Sequence, residues 1–158
     1  MKKQYFKKDV LVCFALMVLT LAFIFWNSLQ NSTQSHSQSG FFVEFFKNLL
    51  GLSDQSLDSI SYIVRKLAHF SEFALLGVEV SYLKKRTKWL CKVSWGYAFL
   101  FGVLVAITDE SLQKFSDRTS SVTDVWIDFL GFSFGILLLV IVYAIIKIKF
   151  KKEDGELS

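Results

Sequence analysis

Long apolar runs separated by short polar ones dominate the chain. Four stretches, about 10–29, 62–83, 92–114 and 124–148, each reach the roughly 20 residues that a helix needs to cross a hydrocarbon core. The pattern predicts an all-α integral membrane protein: a bundle of four transmembrane helices in a single domain over 1–158, with no internal repeat. Between the first two spans lies "NSLQNSTQSHSQSG", polar and aperiodic, which reads as an exposed loop with His36 as a solvated loop residue. In "FFVEFFKNLLGL", Phe41, Phe42, Phe45, Phe46, Leu49 and Leu50 share one side of a helix, and Glu44, Lys47 and Asn48 the other. That suits a short helix lying in the membrane interface, or one capping the bundle. Ser53, Asp54 and Asp58 each offer an oxygen that could cap the start of the second span, but none has Glu or Gln three residues later to complete a capping box.

Composition sharpens this picture. Apolar residues make up 53% of the 158 residues, proline is absent, and mean hydropathy is +0.42, all of which point to a bilayer. The net charge of +4 is carried by three runs: Lys2, Lys3, Lys7 and Lys8; "KKRTKWLCK"; and "KIKFKK". All three fall at the same side of the predicted bundle, which makes that side cytoplasmic and puts both termini inside. These topogenic runs account for the charge, so it is no nucleic-acid footprint. The basic start and apolar run of the first span resemble a secretory signal, but no small-x-small cleavage site follows, so an uncleaved anchor is expected. Cys13 and Cys91 fall near the cytoplasmic ends of their spans, where thiols stay reduced, and read as packing residues.

The outer end carries the chemistry. On the second span Arg65, His69, Glu72, Leu76 and Glu79 fall within an arc of roughly 80°. Lys66 stands about 60° to the side of His69, near enough to serve the same site or reach the headgroups. The third span ends with Asp109, Glu110 and Gln113, and the fourth begins with Asp124, Asp128, Gly131 and Gly135 along one stripe, where the glycines admit a neighbouring backbone. Buried carboxylates in a membrane are costly without partners. One or two ion pairs would fix the register of a bundle, whereas each further buried charge adds desolvation cost. A polar pocket in the outer leaflet is the better reading, and its mixture of cations and acids suits a phosphate-bearing substrate or a divalent metal.

Within that pocket His69, oriented by Glu72, is the candidate acid or base. Asp109 or Asp124 would activate the acceptor or bind a metal. Arg65, Lys66 and Arg118 suit phosphate, with Gln113 beside them. Asp109 and Glu110 diverge by about 100° on their helix, so one of them is expected to be structural. Glu110, Asp128, Gly131 and Gly135 are assigned structural or secondary roles, and Glu79 is expected to pair with Lys84 or Lys85. A zinc-type site is weakly supported, since the cluster has one histidine, no cysteine and no HExxH pattern; Mg2+ or Mn2+ on the carboxylates stays open.

"RKLAHFSEFALLG", "TDESLQKF" and "RTSSVTDVWIDFLGFSFG" resemble, in order, the three signature blocks of the VanZ-like family, named for a teicoplanin-resistance membrane protein. "FWNSLQNSTQSHSQSG" is similar to the polar segment after that family's first helix, so the likeness runs from about residue 20 to residue 140. The resemblance marks Arg65, Lys66, His69, Glu72, Asp109, Glu110, Gln113, Arg118, Asp124 and Asp128, with Gly77, Gly131 and Gly135, as the family's characteristic positions. One departure is that Ser116-Asp117 stands where the family commonly has Pro-Gly before the arginine. The resemblance implies a membrane protein linked to lipoglycopeptide resistance and a chemistry of lipid head groups. The leading expectation is an outer-leaflet enzyme acting on a phospholipid or polyprenyl-linked cell-wall lipid in a Gram-positive envelope. A non-catalytic lipid or glycopeptide binder is the alternative. A small transporter ranks third, because its polar groups should continue through the inner half.

Overall fold

The computed structural model describes residues 8–30, 57–116 and 121–156. The expected outer loop with His36, the interfacial helix at 41–50, the capping residues Ser53 and Asp54, and Arg118 lie outside the described residues. Every regular element among the described residues is helical: α1 (Lys8–Ser28), α2 (Leu57–Arg86), α3 (Lys88–Lys92), α4 (Trp95–Gln113), a 3-10 turn (Lys114–Ser116) and α5 (Val122–Glu156). α1, α4 and the Val122–Lys149 part of α5 are long and apolar enough to cross a membrane. α2, at 30 residues, spans about 45 Å but carries Arg65, Lys66, Glu72 and Glu79 within its length. α5 runs on as helix through "KIKFKKEDGE".

The packing is what a lipid solvent demands. Leu19 is 64% exposed, Trp26 67% and Leu130 58%, so large apolar side chains cover the outside. With hydrocarbon around it, the bundle gains little from burying further apolar surface and is held by close packing and internal hydrogen bonds. A small apolar core takes one or two side chains from each long helix: Ile24 from α1, Phe73 and Leu76 from α2, Val105 and Ala106 from α4, Phe132 and Ile136 from α5.

The most extensive contact joins α2 to α5. Here backbone meets backbone: a Cβ on Gly131 would collide with the carbonyl of Phe70, one on Gly135 with that of Ala74, and one on Gly77 with that of Phe132. Only glycine admits helices this close.

The end of the bundle where α1 starts and α2 stops is basic and aromatic. Arg86 grips Asp9, its Nη2 2.5 Å and its Nε 3.0 Å from Oδ2, and the Tyr82 hydroxyl donates to the same oxygen. Lys84, nearly buried, donates to the carbonyls of Leu90 and Val93 and lies over the Trp95 ring. α4 begins at Ser94, whose side chain accepts from the backbone N–H of Gly96. The expected partner of Glu79 differs from the observed one. Lys84 and Lys85 sit about 140° and 120° round the helix from Glu79, and Glu79 instead accepts a hydrogen bond from Thr20 of α1 at 3.0 Å.

Candidate functional site

At the opposite end the last turn of α1, the early turns of α2, the last turns of α4 and the first turns of α5 meet. α4 contributes Asp109, fully buried, and one turn on Gln113, whose Nε2 donates to Asp109 Oδ2 at 3.0 Å. The hydroxyl of Ser28, at the end of α1, donates to the other oxygen, Oδ1. The carboxylate is thus fixed from two sides. Glu110, about 100° round the helix, turns elsewhere and accepts from the backbone N–H of Ser121 just ahead of α5.

α2 supplies His69. Its Nδ1 lies 3.7 Å from Asp109 Oδ2 and 4.0 Å from Asp128 Oδ1 of α5, so two carboxylates from different helices face one imidazole. Asp128 is 2% exposed, and its Oδ2 has no hydrogen-bond partner among the described residues. One ligand atom from each of His69, Asp109 and Asp128 falls within 4.8 Å of the others, an arrangement able to hold a cation. Beside this centre Lys66 forms an ion pair with Asp124 and lies 4.9 Å from the Tyr62 ring. Arg65, Lys66, His69, Gln113, Asp124 and Asp128 line one narrow cleft, with Ile127 as its apolar wall. Glu72 accepts from Asn27 Nδ2 at 2.8 Å.

The structure therefore gathers His69, Asp109, Asp124, Arg65, Lys66 and Gln113, and adds Asp128, which spacing groups with the packing glycines. It ties Glu72 to α1 and Glu110 to the start of α5. The residues that sequence reasoning missed are the donors of α1: Thr20, Asn27 and Ser28. A signal exists, because Cys13, Thr20 and Asn27 recur every seventh residue in an otherwise apolar helix and so form one stripe. A larger cavity of about 540 Å3 lies at the basic end, lined among the described residues by side chains such as Leu11, Phe14, Leu83, Trp89, Tyr97 and Phe101 and by no acid.

Residues 11–143 match the family model described as VanZ/LLP1, a stretch that takes in all of α2 and α4, most of α1, the first two thirds or so of α5 and the whole cluster. The chain belongs to the VanZ/LLP1 family. No curated protein and no solved structure matches it. As a VanZ-family membrane protein, this chain builds its polar centre from separate helices inside an apolar bundle, where each hydrogen bond and ion pair is little shielded by water.

Proposed function

We propose that this VanZ-family protein acts on the phosphate-linked head group of a membrane lipid, a phospholipid or a polyprenyl-linked cell-wall intermediate, at the outer leaflet of a Gram-positive envelope. Lowered teicoplanin susceptibility would follow. In this reading α2 is the fourth span, both termini are cytoplasmic and the polar cluster faces outward, in keeping with the basic residues at the other end. The observation that carries the proposal is the pair of carboxylates, Asp109 and Asp128, set 3.7 and 4.0 Å from one imidazole nitrogen; His69 and Asp128 line a cleft with Arg65 and Lys66, and Asp109 lies fully buried behind them.

Arg65 and Lys66, with Arg118 added by the family resemblance, hold the phosphate; the incoming anion competes with Asp124 for Lys66. The acceptor is water for hydrolysis or a second alcohol for exchange. Its oxygen bonds to phosphorus while the bond from phosphorus to the head-group oxygen breaks. The acceptor's proton passes to the His69–Asp109–Asp128 centre, and the departing oxygen takes up a proton in turn. Ser28 and Gln113 keep Asp109 in place, and Glu72, bonded to Asn27, ties α2 to α1 beside the centre.

The test is teicoplanin susceptibility of a Gram-positive host lacking its own homologue, expressing wild type, Asp128→Asn or His69→Ala at matched membrane levels, followed by mass spectrometry of its lipids. Protection by wild type alone, together with a lipid species absent from the variants, supports the reading. Equal protection by all three removes the chemistry and leaves a binder that limits access of the antibiotic.

A further inference from the structure

We infer that His69, Asp109 and Asp128 form the binding site for one divalent transition-metal cation, of the Mn2+ or Zn2+ class. The inference deepens the proposed function and rests on it for what the ion would do; binding itself is measured without any lipid substrate. Geometry comes first. Two ligand atoms held about 2.1 Å from one ion stand no more than about 4.2 Å apart. The separations of 3.7 and 4.0 Å from Nδ1 of His69 lie under that bound but above the roughly 3.4 Å expected between ligands of a tetrahedral ion, so both carboxylates would have to draw inward around the cation.

Burial supplies a second, independent observation. Asp128 is 2% exposed, lines the cleft, and leaves Oδ2 without a hydrogen-bond partner among the described residues. A buried acceptor in that condition is costly to leave bare. Charge points the same way: among the described residues Glu72, Asp109, Glu110, Asp124 and Asp128 share this end of the bundle with three cations, Arg65, Lys66 and Lys114, of which Lys114 is exposed and Lys66 is already paired with Asp124. A divalent ion would offset two of these negative charges where a low dielectric makes the excess most costly.

The ligand set narrows the choice. An imidazole nitrogen with two carboxylate oxygens suits Mn2+ or Zn2+ better than Ca2+ or Mg2+, which favour oxygen alone. The hydrogen bonds from Ser28 and Gln113 to Asp109 are the outer supports that orient a ligating carboxylate. Three protein ligands leave positions for a phosphate oxygen and a water, which the ion would polarise and acidify. With an ion bound, Nδ1 of His69 would serve as a ligand rather than a base; the ion would supply an acidified water as the acceptor, and Asp124, in the same cleft, is the acid left to take that water's proton.

The experiment uses the full chain in lipid nanodiscs, stripped with a chelator and titrated with Mn2+. Electron paramagnetic resonance follows the loss of the free-ion signal, Zn2+ competition tests the class, and elemental analysis gives the stoichiometry. One ion per chain is expected in wild type and in Glu79→Gln, an intramembrane acid outside the group, with affinity at least about tenfold weaker in Asp128→Asn. Paramagnetic broadening of the His69 ring signals by Mn2+ locates the ion in unaltered protein, so the test does not depend on a variant that folds. Substoichiometric binding, unchanged affinity in Asp128→Asn, or His69 signals left sharp would overturn the site. An ion bound as expected without antibiotic protection or lipid turnover keeps the site and removes the function; turnover by the stripped protein keeps the function and overturns the ion's part in it.

Discussion

Replacing Gly131 by alanine tests whether the α2–α5 seam sets the geometry of the centre. The added Cβ would stand 3.1 Å from Cα and from the carbonyl carbon of Phe70, and nearer still to its carbonyl oxygen. Carbon atoms pack comfortably at about 3.5–4.0 Å, so the two backbones must part by roughly half an ångström or more. Neither side can yield by rotating a side chain. Overpacking of this kind costs about 1–3 kcal/mol, and for a chain of this size each kcal/mol lowers the melting midpoint by about 2–4 °C. The displacement also falls on the chemistry, because Asp128 stands three residues before Gly131 and His69 immediately before Phe70. Their 4.0 Å separation should widen, and misplacement by about 1 Å can remove some hundredfold of a rate. Thermal denaturation in detergent, followed by circular dichroism, should therefore place Gly131→Ala several degrees below wild type. Gly96→Ala is the control, since its Cβ would meet only Ser94 Oγ at 3.5 Å. Equal midpoints for wild type and Gly131→Ala would refute the seam argument.

Two further outcomes follow from the hydrogen bonds of α1 and from the direction of the bundle. Thr20→Val keeps the shape but removes the donor to Glu79, which is only 6% exposed; the same melting assay should show a loss of about 1–3 kcal/mol, reduced when Glu79 is also changed to leucine. An unaltered midpoint in the single variant would mean that the bond contributes nothing. Cys91 is exposed at the basic end and Phe115 is 83% exposed at the other. In intact cells a membrane-impermeant maleimide should spare Cys91 until the membrane is opened, yet label a Phe115→Cys, Cys91→Ser protein at once, and the opposite pattern would reverse the orientation.

The helical class, the polar cluster and the glycine stripe are legible in the sequence because each depends on spacing along one helix. Gly131 and Gly135 lie a turn apart, and the bare face they make can be read without a structure. Partners across helices are harder to read. Spacing puts Glu72 a turn from His69 and suggests that it orients the imidazole, whereas the carboxylates set against Nδ1 come from α4 and α5, and Glu72 Oε1 is bonded to Asn27. Nothing local distinguishes Asp128 as a member of the centre from Asp128 as one more residue on the glycine stripe. The donors of α1 escaped because one hydroxyl in an apolar run passes as filler, and Asn27 and Ser28 merge with the polar stretch after them. Glu79 shows the same limit: lysines close in sequence stand on another face, and its partner lies 59 residues away.

The pairing of α1 with the acids of α2 also bears on how the chain enters its membrane. α2 carries charges that disfavour insertion of an isolated helix by about 2.5–3.5 kcal/mol each at mid-bilayer. α1 is synthesised first and bears no acid beyond Asp9, yet Thr20 and Asn27 stand on it at the depths where Glu79 and Glu72 arrive. A helix too polar to partition alone thus finds its hydrogen-bond donors already in place, and the first span becomes an internal chaperone for the second. The order of the helices in the chain then matters as much as their packing: a version with α1 moved to the C-terminus would preserve every contact on paper and deliver them too late.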